Sequence, residues 1–103
     1  MKFILIYVTY KDSSDAEKSA EQLLDKKLIA CANFFPISSM YKWKGSIERS
    51  NETVAILKTR VENWESVKGF VLKNHSYETP CVIKLAEVEA NDSYTTWILN
   101  ETK

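Results

Sequence analysis

Hydrophobic residues fall along this chain in runs of two periods, and the switches between them predict its elements. Phe3 to Thr9 is continuously apolar and rich in β-branched and aromatic residues, as expected of a central strand covered on both faces. Asp12-Ser13-Ser14-Asp15 breaks it. Ser14 with Glu17 three residues on fits a capping box, and Asp15 adds a favourable charge at the helix start. Ala16, Ala20, Leu23, Leu24 and Leu28 then recur at helical spacing, while Asp25, Lys26 and Lys27 keep the other side wet. That helix is expected to end near Lys27 or Leu28.

The next run, Ile29 to Trp43, is too long for its own domain. Extended at about 3.3 Å per residue it would span roughly 50 Å, whereas a body of this chain length is roughly 35 Å across. It must bend, project, or do both. Pro36 lacks an amide donor and marks an edge, a bulge or a break between two strand segments. Lys44-Gly45 supplies a turn. The return arm, Ile47 to Thr59, is polar at Glu48-Arg49-Ser50-Asn51-Glu52 and apolar from Val54 to Leu57. This predicts a hairpin with a core-facing base and a partly solvated tip.

Asn63 is placed to cap a second helix in which Trp64, Val67 and Val71 share a face, ending at Asn74-His75. Gly69 inside it costs about 1 kcal/mol relative to Ala. Pro80 to Leu85 reads as a fourth strand, with Pro80 admissible as its first residue. Asn91 or Asp92 caps a short final helix carrying Tyr94, Trp97 and Ile98 on one side. The order strand, helix, strand, strand, helix, strand, helix is that of an α+β, ferredoxin-like βαββαβ sandwich with an extended β2-β3 hairpin and a C-terminal helix. One domain is expected over residues 1–103. The sheet face away from the first two helices would expose Tyr7, Tyr41 and Trp43, and a second copy of the chain is the simplest cover for it.

Charge and cysteine usage narrow the classes. Fourteen basic residues balance fourteen acidic ones, so no net field attracts nucleic acid or an anionic membrane. The first apolar run gives way to Thr9-Tyr10-Lys11-Asp12 without a small-residue cleavage site, so it reads as a strand and not a signal peptide. No run reaches the roughly 20 apolar residues of a membrane span. A cytoplasmic protein with Cys31 and Cys81 as free thiols is expected.

No known catalytic constellation assembles from these residues. A glycine-rich phosphate loop is excluded with only Gly45 and Gly69 available. One histidine and two distant cysteines do not make a closed zinc site within one chain. The richest cluster is His75-Ser76-Tyr77-Glu78-Thr79-Pro80, where an imidazole, a phenol and a carboxylate could bind a cation with ligands completed by water or another subunit. Alternatively His75 stops a helix, Tyr77 packs and Glu78 pairs with a lysine. Cys31 is either a small core residue or a soft-metal thiol, and Cys81 has the same two readings. Lys58 either serves an anion pocket or neutralises Glu78. Trp43, Trp64 and Trp97 read as core or interface anchors.

The combination Ala30-Cys31-Ala32-Asn33, Pro36, Ser39, Tyr41, Trp43, Gly45, Glu52, Lys58-Thr59, His75 to Pro80, Tyr94 and Trp97 resembles the CutA family of divalent-cation tolerance proteins. The resemblance runs from the first strand through Trp97. It implies a ferredoxin-like subunit in a homotrimer similar to the PII signalling trimers, a role in tolerance of copper and other divalent metals, no catalytic activity and no required cofactor. By motif, Cys31, Asn33, Lys58 and Tyr77 become candidates for ligand clefts between subunits, His75 and Glu78 for metal contacts, and Tyr41, Trp43 and Trp97 for the trimer interface. Cys31 and Asn33 are expected near the cluster from His75 to Glu78. Three departures stand out: Ser76 where proline is common, Ala90 where glycine usually opens the final helix, and a first strand without cysteine.

Two functions remain in competition with weaker ones behind them. One is a non-enzymatic trimer that binds divalent metal or a small ligand at its clefts. The other is a PII-like signalling or structural trimer whose partners dock on hairpin-tip residues Lys42, Lys44, Glu48 and Arg49. An acylphosphatase-type enzyme would need a phosphate loop that Thr9 to Ser14 lacks, and an RNA-binding module would need a basic aromatic third strand.

Overall fold

The first strand sets the architecture because both of its faces are used. The computed structural model describes residues 2–103. It contains β1 (Phe3–Tyr10), α1 (Ser13–Asp25), β2 (Cys31–Trp43), β3 (Ser46–Arg60), α2 (Trp64–Asn74), β4 (Val82–Leu85) and α3 (Asp92–Glu101), with a 3-10 turn at Val61–Asn63 leading into α2. The expected order of elements is the observed one. The strands form one antiparallel sheet in the order β2-β3-β1-β4, the ferredoxin-like arrangement.

Alternation along β1 divides the core. Ile4, Ile6, Val8 and Tyr10, with Ala55 and Leu57 of β3, pack against Ala16, Ala20 and Leu23 of α1 and Val67 and Val71 of α2. Phe3 and Leu5 belong to a second cluster with Ala30, Val88, Tyr94 and Ile98. Thus α3 covers only one end of the sheet's second face. Beyond it the in-register residues Tyr7, Ile56 and Ile83 continue toward the hairpin, and Ile83 is 47% exposed.

The long hairpin projects. The molecule measures 46 × 24 × 21 Å, and β2 pairs with β3 without interruption from Cys31↔Lys58 to Trp43↔Ser46. Pro36 sits opposite Thr53 in this ladder. Of its three readings the edge is the one observed, since β2 has a neighbour on one side only and a missing donor costs nothing on the other. The turn has Lys44 at φ 52° and Gly45 at φ 85°, both in the left-handed region that a two-residue type I′ turn requires.

Several element ends differ from the sequence reading. The cap of α1 is Asp12, whose carboxylate accepts from the Asp15 amide at 2.8 Å, and not Ser14. A charged acceptor makes the stronger bond. The helix ends at Asp25 because Leu28 N–H donates to Leu23 O and Lys27 N–H to Leu24 O, with Lys27 at φ 58°. That pair of bonds is a Schellman motif, closed by a lysine where glycine is usual. Asn63 occupies the cap position of α2 without capping it. Its amide instead donates to Leu28 O at 3.3 Å and Thr59 Oγ1 at 3.2 Å, beneath the end of α1. The fourth strand begins at Val82, two residues after Pro80.

Candidate ligand clefts on the open face of the sheet

Period-two alternation puts Cys31, Asn33, Phe35, Tyr41 and Trp43 of β2 on the face that α3 only partly covers, with Glu48, Glu52 and Lys58 of β3 beside them. The candidate residues therefore share a face. They do not share a site. Lys58 lies six positions from Glu52 along β3, a separation of about 20 Å at strand spacing.

At the α3 end, Cys31 is in register with Lys58. The Cys31 thiol approaches Asn33 Oδ1 at 3.9 Å. Lys58 Nζ donates to the Tyr94 hydroxyl at 3.1 Å and stands 5.3 Å from that ring's centroid. Tyr94 in turn stacks on Trp97, with centroids 5.6 Å apart, and Trp97 is 41% exposed. Lys58 is thus committed to α3 and does not neutralise Glu78.

At the hairpin end, His75 follows α2 and its ring is held on both edges. The β1–β4 ladder stops at Val8↔Val82, and the carbonyl of the next residue, Thr9, lies 2.7 Å from His75 Nε2. His75 Nδ1 accepts from the Tyr77 amide at 3.1 Å, so in the neutral ring Nε2 carries the proton and donates to Thr9. The ring also stacks on Tyr10 at 4.8 Å. This is the helix-stop reading of His75, and it leaves neither nitrogen free for a metal.

The Tyr77 hydroxyl donates to Glu52 Oε2 at 2.6 Å. Burial, then this carboxylate, push the phenol's pKa well above its ordinary value. Burial likewise raises the Cys81 thiol. A cleft of about 600 Å³ opens between Tyr41 and Trp43 of the hairpin and the segment from Tyr77 to Cys81. Glu78 lines it and is exposed, and among the described residues it makes no ion pair. Tyr41 and Trp43 are 45% and 39% exposed.

Within one chain the candidate residues fall into two groups. Cys31 and Asn33 lie at the opposite end of the sheet from the cluster of His75 to Glu78. Among the described residues no three His, Cys, Asp or Glu side chains gather closely enough to hold a metal ion, so one chain's donor set does not by itself fit a resident metal. Sequence reasoning also missed a role for Glu52. Its signal was there: Glu52, Val54, Ile56 and Lys58 continue one strand face, so Glu52 had to turn inward toward the open side.

The fold recurs in known proteins. The chain is 40% identical over 100 residues to the divalent-cation tolerance protein CutA of Pyrococcus horikoshii, covering 97% of this chain and 98% of that protein. It superposes on the structure of the periplasmic divalent cation tolerance protein CutA from Archaeoglobus fulgidus with a TM-score of 0.95 at 38% identity, covering 98% and 99% of the two chains. CutA1 from Oryza sativa gives a TM-score of 0.95 at 33% identity, covering 100% and 95%. The sequence profile described as CutA1 divalent ion tolerance protein matches residues 4–101, and the chain therefore belongs to that family.

Proposed function

We propose that the chain acts as a non-enzymatic homotrimer in divalent-cation tolerance, binding copper or another divalent metal weakly, or a small ligand, at clefts between subunits. One observation carries this reading. The second face of the sheet exposes Phe35, Tyr41, Trp43, Ile83 and Leu85, and α3 beside it Trp97, at 39–47%, more large apolar surface on one side than a lone chain usually leaves open. Neighbouring copies laid on that face would bury the aromatic residues and could bring the Cys31 end of one subunit to the Glu78 end of another. Cys31, Asn33, Tyr77 and Glu78 are the contacts available to a ligand there. His75 supports Tyr77 and contributes to metal binding only by surrendering Thr9.

Among the described residues no helix is long and apolar enough to cross a membrane. Relatives are described as periplasmic in Archaeoglobus fulgidus and chloroplastic in Arabidopsis thaliana, so the family occurs in several compartments, and a cytoplasmic location is proposed for this chain from its sequence. Light scattering during size exclusion tests the assembly: about three times the 11.9 kDa chain mass is expected, and a monomer at micromolar concentration refutes it. Calorimetric titration of Cu²⁺ into wild type and Glu78→Ala tests the cleft, and identical heats refute a role for Glu78.

A PII-like signalling or structural role is the second reading, favoured by one further observation. The tip residues Lys42, Lys44, Glu48 and Arg49 are all exposed on the projecting hairpin, where a partner reaches them without touching the body. Charge reversal at Lys44 and Arg49 that leaves every captured partner in place refutes it.

A further inference from the structure

The helix-covered side of the molecule carries a smaller cavity of about 170 Å³, bounded by Asp15, Lys18, Ser19 and Gln22 of α1 and by Asn74 and His75 at the end of α2. We infer that it is a binding site for a small zwitterion, an α-amino acid of the size of glycine or alanine, whose carboxylate faces Lys18 and Ser19 and whose ammonium faces Asp15 and Asn74. The inference goes beyond the proposed function and does not rest on it. Tyr10, which also lines the cavity, belongs to the core beneath α1 and α2, on the side of the sheet opposite the face given to neighbouring copies. The cavity therefore stays open whether the chain is alone or assembled.

One helix face builds the wall. Asp15, Lys18, Ser19 and Gln22 recur at i, i+3, i+4 and i+7, a single stripe of α1, while Ala16, Ala20 and Leu23 bury the neighbouring stripe. The floor is Tyr10, 3% exposed and stacked on the His75 ring at 4.8 Å. Its hydroxyl donates to Ser19 Oγ at 2.8 Å, which leaves the Ser19 O–H to donate elsewhere. Asn74 Nδ2 donates to the Phe70 carbonyl at 2.9 Å, which leaves Asn74 Oδ1 as an acceptor. Both His75 nitrogens are engaged by Thr9 and Tyr77, so the imidazole offers the cavity only its ring.

Charge and size select the ligand. Asp15 and Lys18 stand one helical turn apart, a spacing of about 5–6 Å between Cβ atoms, yet they do not pair with each other. Among the described residues Asp15 meets Lys11 at 4.0 Å and Lys18 has no ion pair. A pair as long and exposed as the first contributes little, so both charges remain available. A lone anion held by Lys18 would also face Asp15, and a lone cation held by Asp15 would face Lys18. A molecule carrying both signs avoids either repulsion. At about 30 Å³ per water the cavity holds roughly five or six waters, the space that glycine or alanine would take over.

The test uses the purified full chain, labelled with nitrogen-15, and glycine as probe at neutral pH, where both of its charges are present. Saturable shifts of the Ser19, Gln22 and Asn74 amide resonances are expected, with a millimolar midpoint. Lys18→Met and Asp15→Asn should each raise that midpoint about threefold to fivefold, the scale of one exposed ion pair, and their spectra report directly that they fold. Glu65→Gln, at the opposite end of α2, should leave it unchanged. Acetate and methylammonium each carry half of the ligand and should need about fivefold higher concentrations. If either half matches glycine, the cavity is a simple ion site and the inference is overturned. It is equally overturned if no shift saturates, if neither cavity variant moves the midpoint, or if Glu65→Gln moves it as far. Oligomeric mass and Cu²⁺ heats are separate measurements, so failure here leaves the trimer and metal reading to be decided on its own.

Discussion

Replacing His75 with Phe separates a structural histidine from a metal ligand. The substitution keeps an aromatic ring against Tyr10, which His75 stacks on at 4.8 Å, and removes both nitrogens. Two bonds are lost. The Thr9 carbonyl, on a buried residue beyond the end of the β4 ladder, loses its donor at 2.7 Å, and an orphaned buried acceptor costs about 1–3 kcal/mol. The Tyr77 amide loses its acceptor at 3.1 Å. Tyr77 is only partly buried and water can compensate, so this loss is nearer the net value of about 0.5–1.5 kcal/mol. Together the change should destabilise the protein by about 1.5–4.5 kcal/mol, with the stacking contribution retained. Urea unfolding monitored by circular dichroism, at one fixed protein concentration because an assembling protein gains stability with concentration, gives the difference directly. Cu²⁺ titration of the same variant supplies the contrast. If His75→Phe were as stable as wild type within about 0.5 kcal/mol, well below the cost of any buried orphan, and lost its copper heat, the nitrogens would be ligands and the bonding scheme here would be wrong.

Three further outcomes follow from the same structure. Arg60 reaches from β3 to the C-terminal end of α3, bonding Thr102 Oγ1 at 3.0 Å, Thr102 O at 3.1 Å and the Leu99 carbonyl. Arg60→Met should lower amide-exchange protection over residues 94–101 by about 1.5–3 kcal/mol, the range for charged hydrogen bonds, while β1 stays protected; unchanged exchange would show that the clamp is idle. Tyr77 has its pKa raised by folding, so its stabilisation is complete below the unfolded value near 10 and is lost as pH rises through and beyond it. The stability advantage of wild type over Tyr77→Phe should therefore be constant up to about pH 9 and shrink above pH 10, by at most about 1.4 kcal/mol per pH unit, and a difference that grows with alkalinity would contradict the assignment. Gly45→Ala should destabilise the protein by about 1 kcal/mol through its positive φ alone, since a Cβ there meets nothing within 4 Å; a larger loss in thermal unfolding would point to a contact at the hairpin tip.

Much of this fold was written in local pattern. The continuous apolar run of β1, the helical spacing from Ala16 to Leu23 and the polar tip of the hairpin are each consequences of a short-range period, and short-range periods survive in sequence. The excess length of the second strand was equally legible, because residue count times rise exceeds any domain of this size. The ordered combination of motifs from Ala30-Cys31-Ala32-Asn33 through His75 to Pro80 and on to Trp97 also indicated the family.

What sequence left undecided was every question settled by charge-assisted or long-range bonding. Whether Asp12 or Ser14 capped α1 depended on which acceptor the Asp15 amide met. Lys27 closing a helix in place of glycine depended on the two amides that follow it. Tertiary structure alone gave Lys58 to Tyr94, 36 positions away, and gave both nitrogens of His75 to backbone groups. It also separated Cys31 from Glu78. Cys31 and Glu52, the partner of Tyr77 in the cluster from His75 to Glu78, share a face by alternation, which sequence can count, but sit far apart along it by register, which only the paired strands decide.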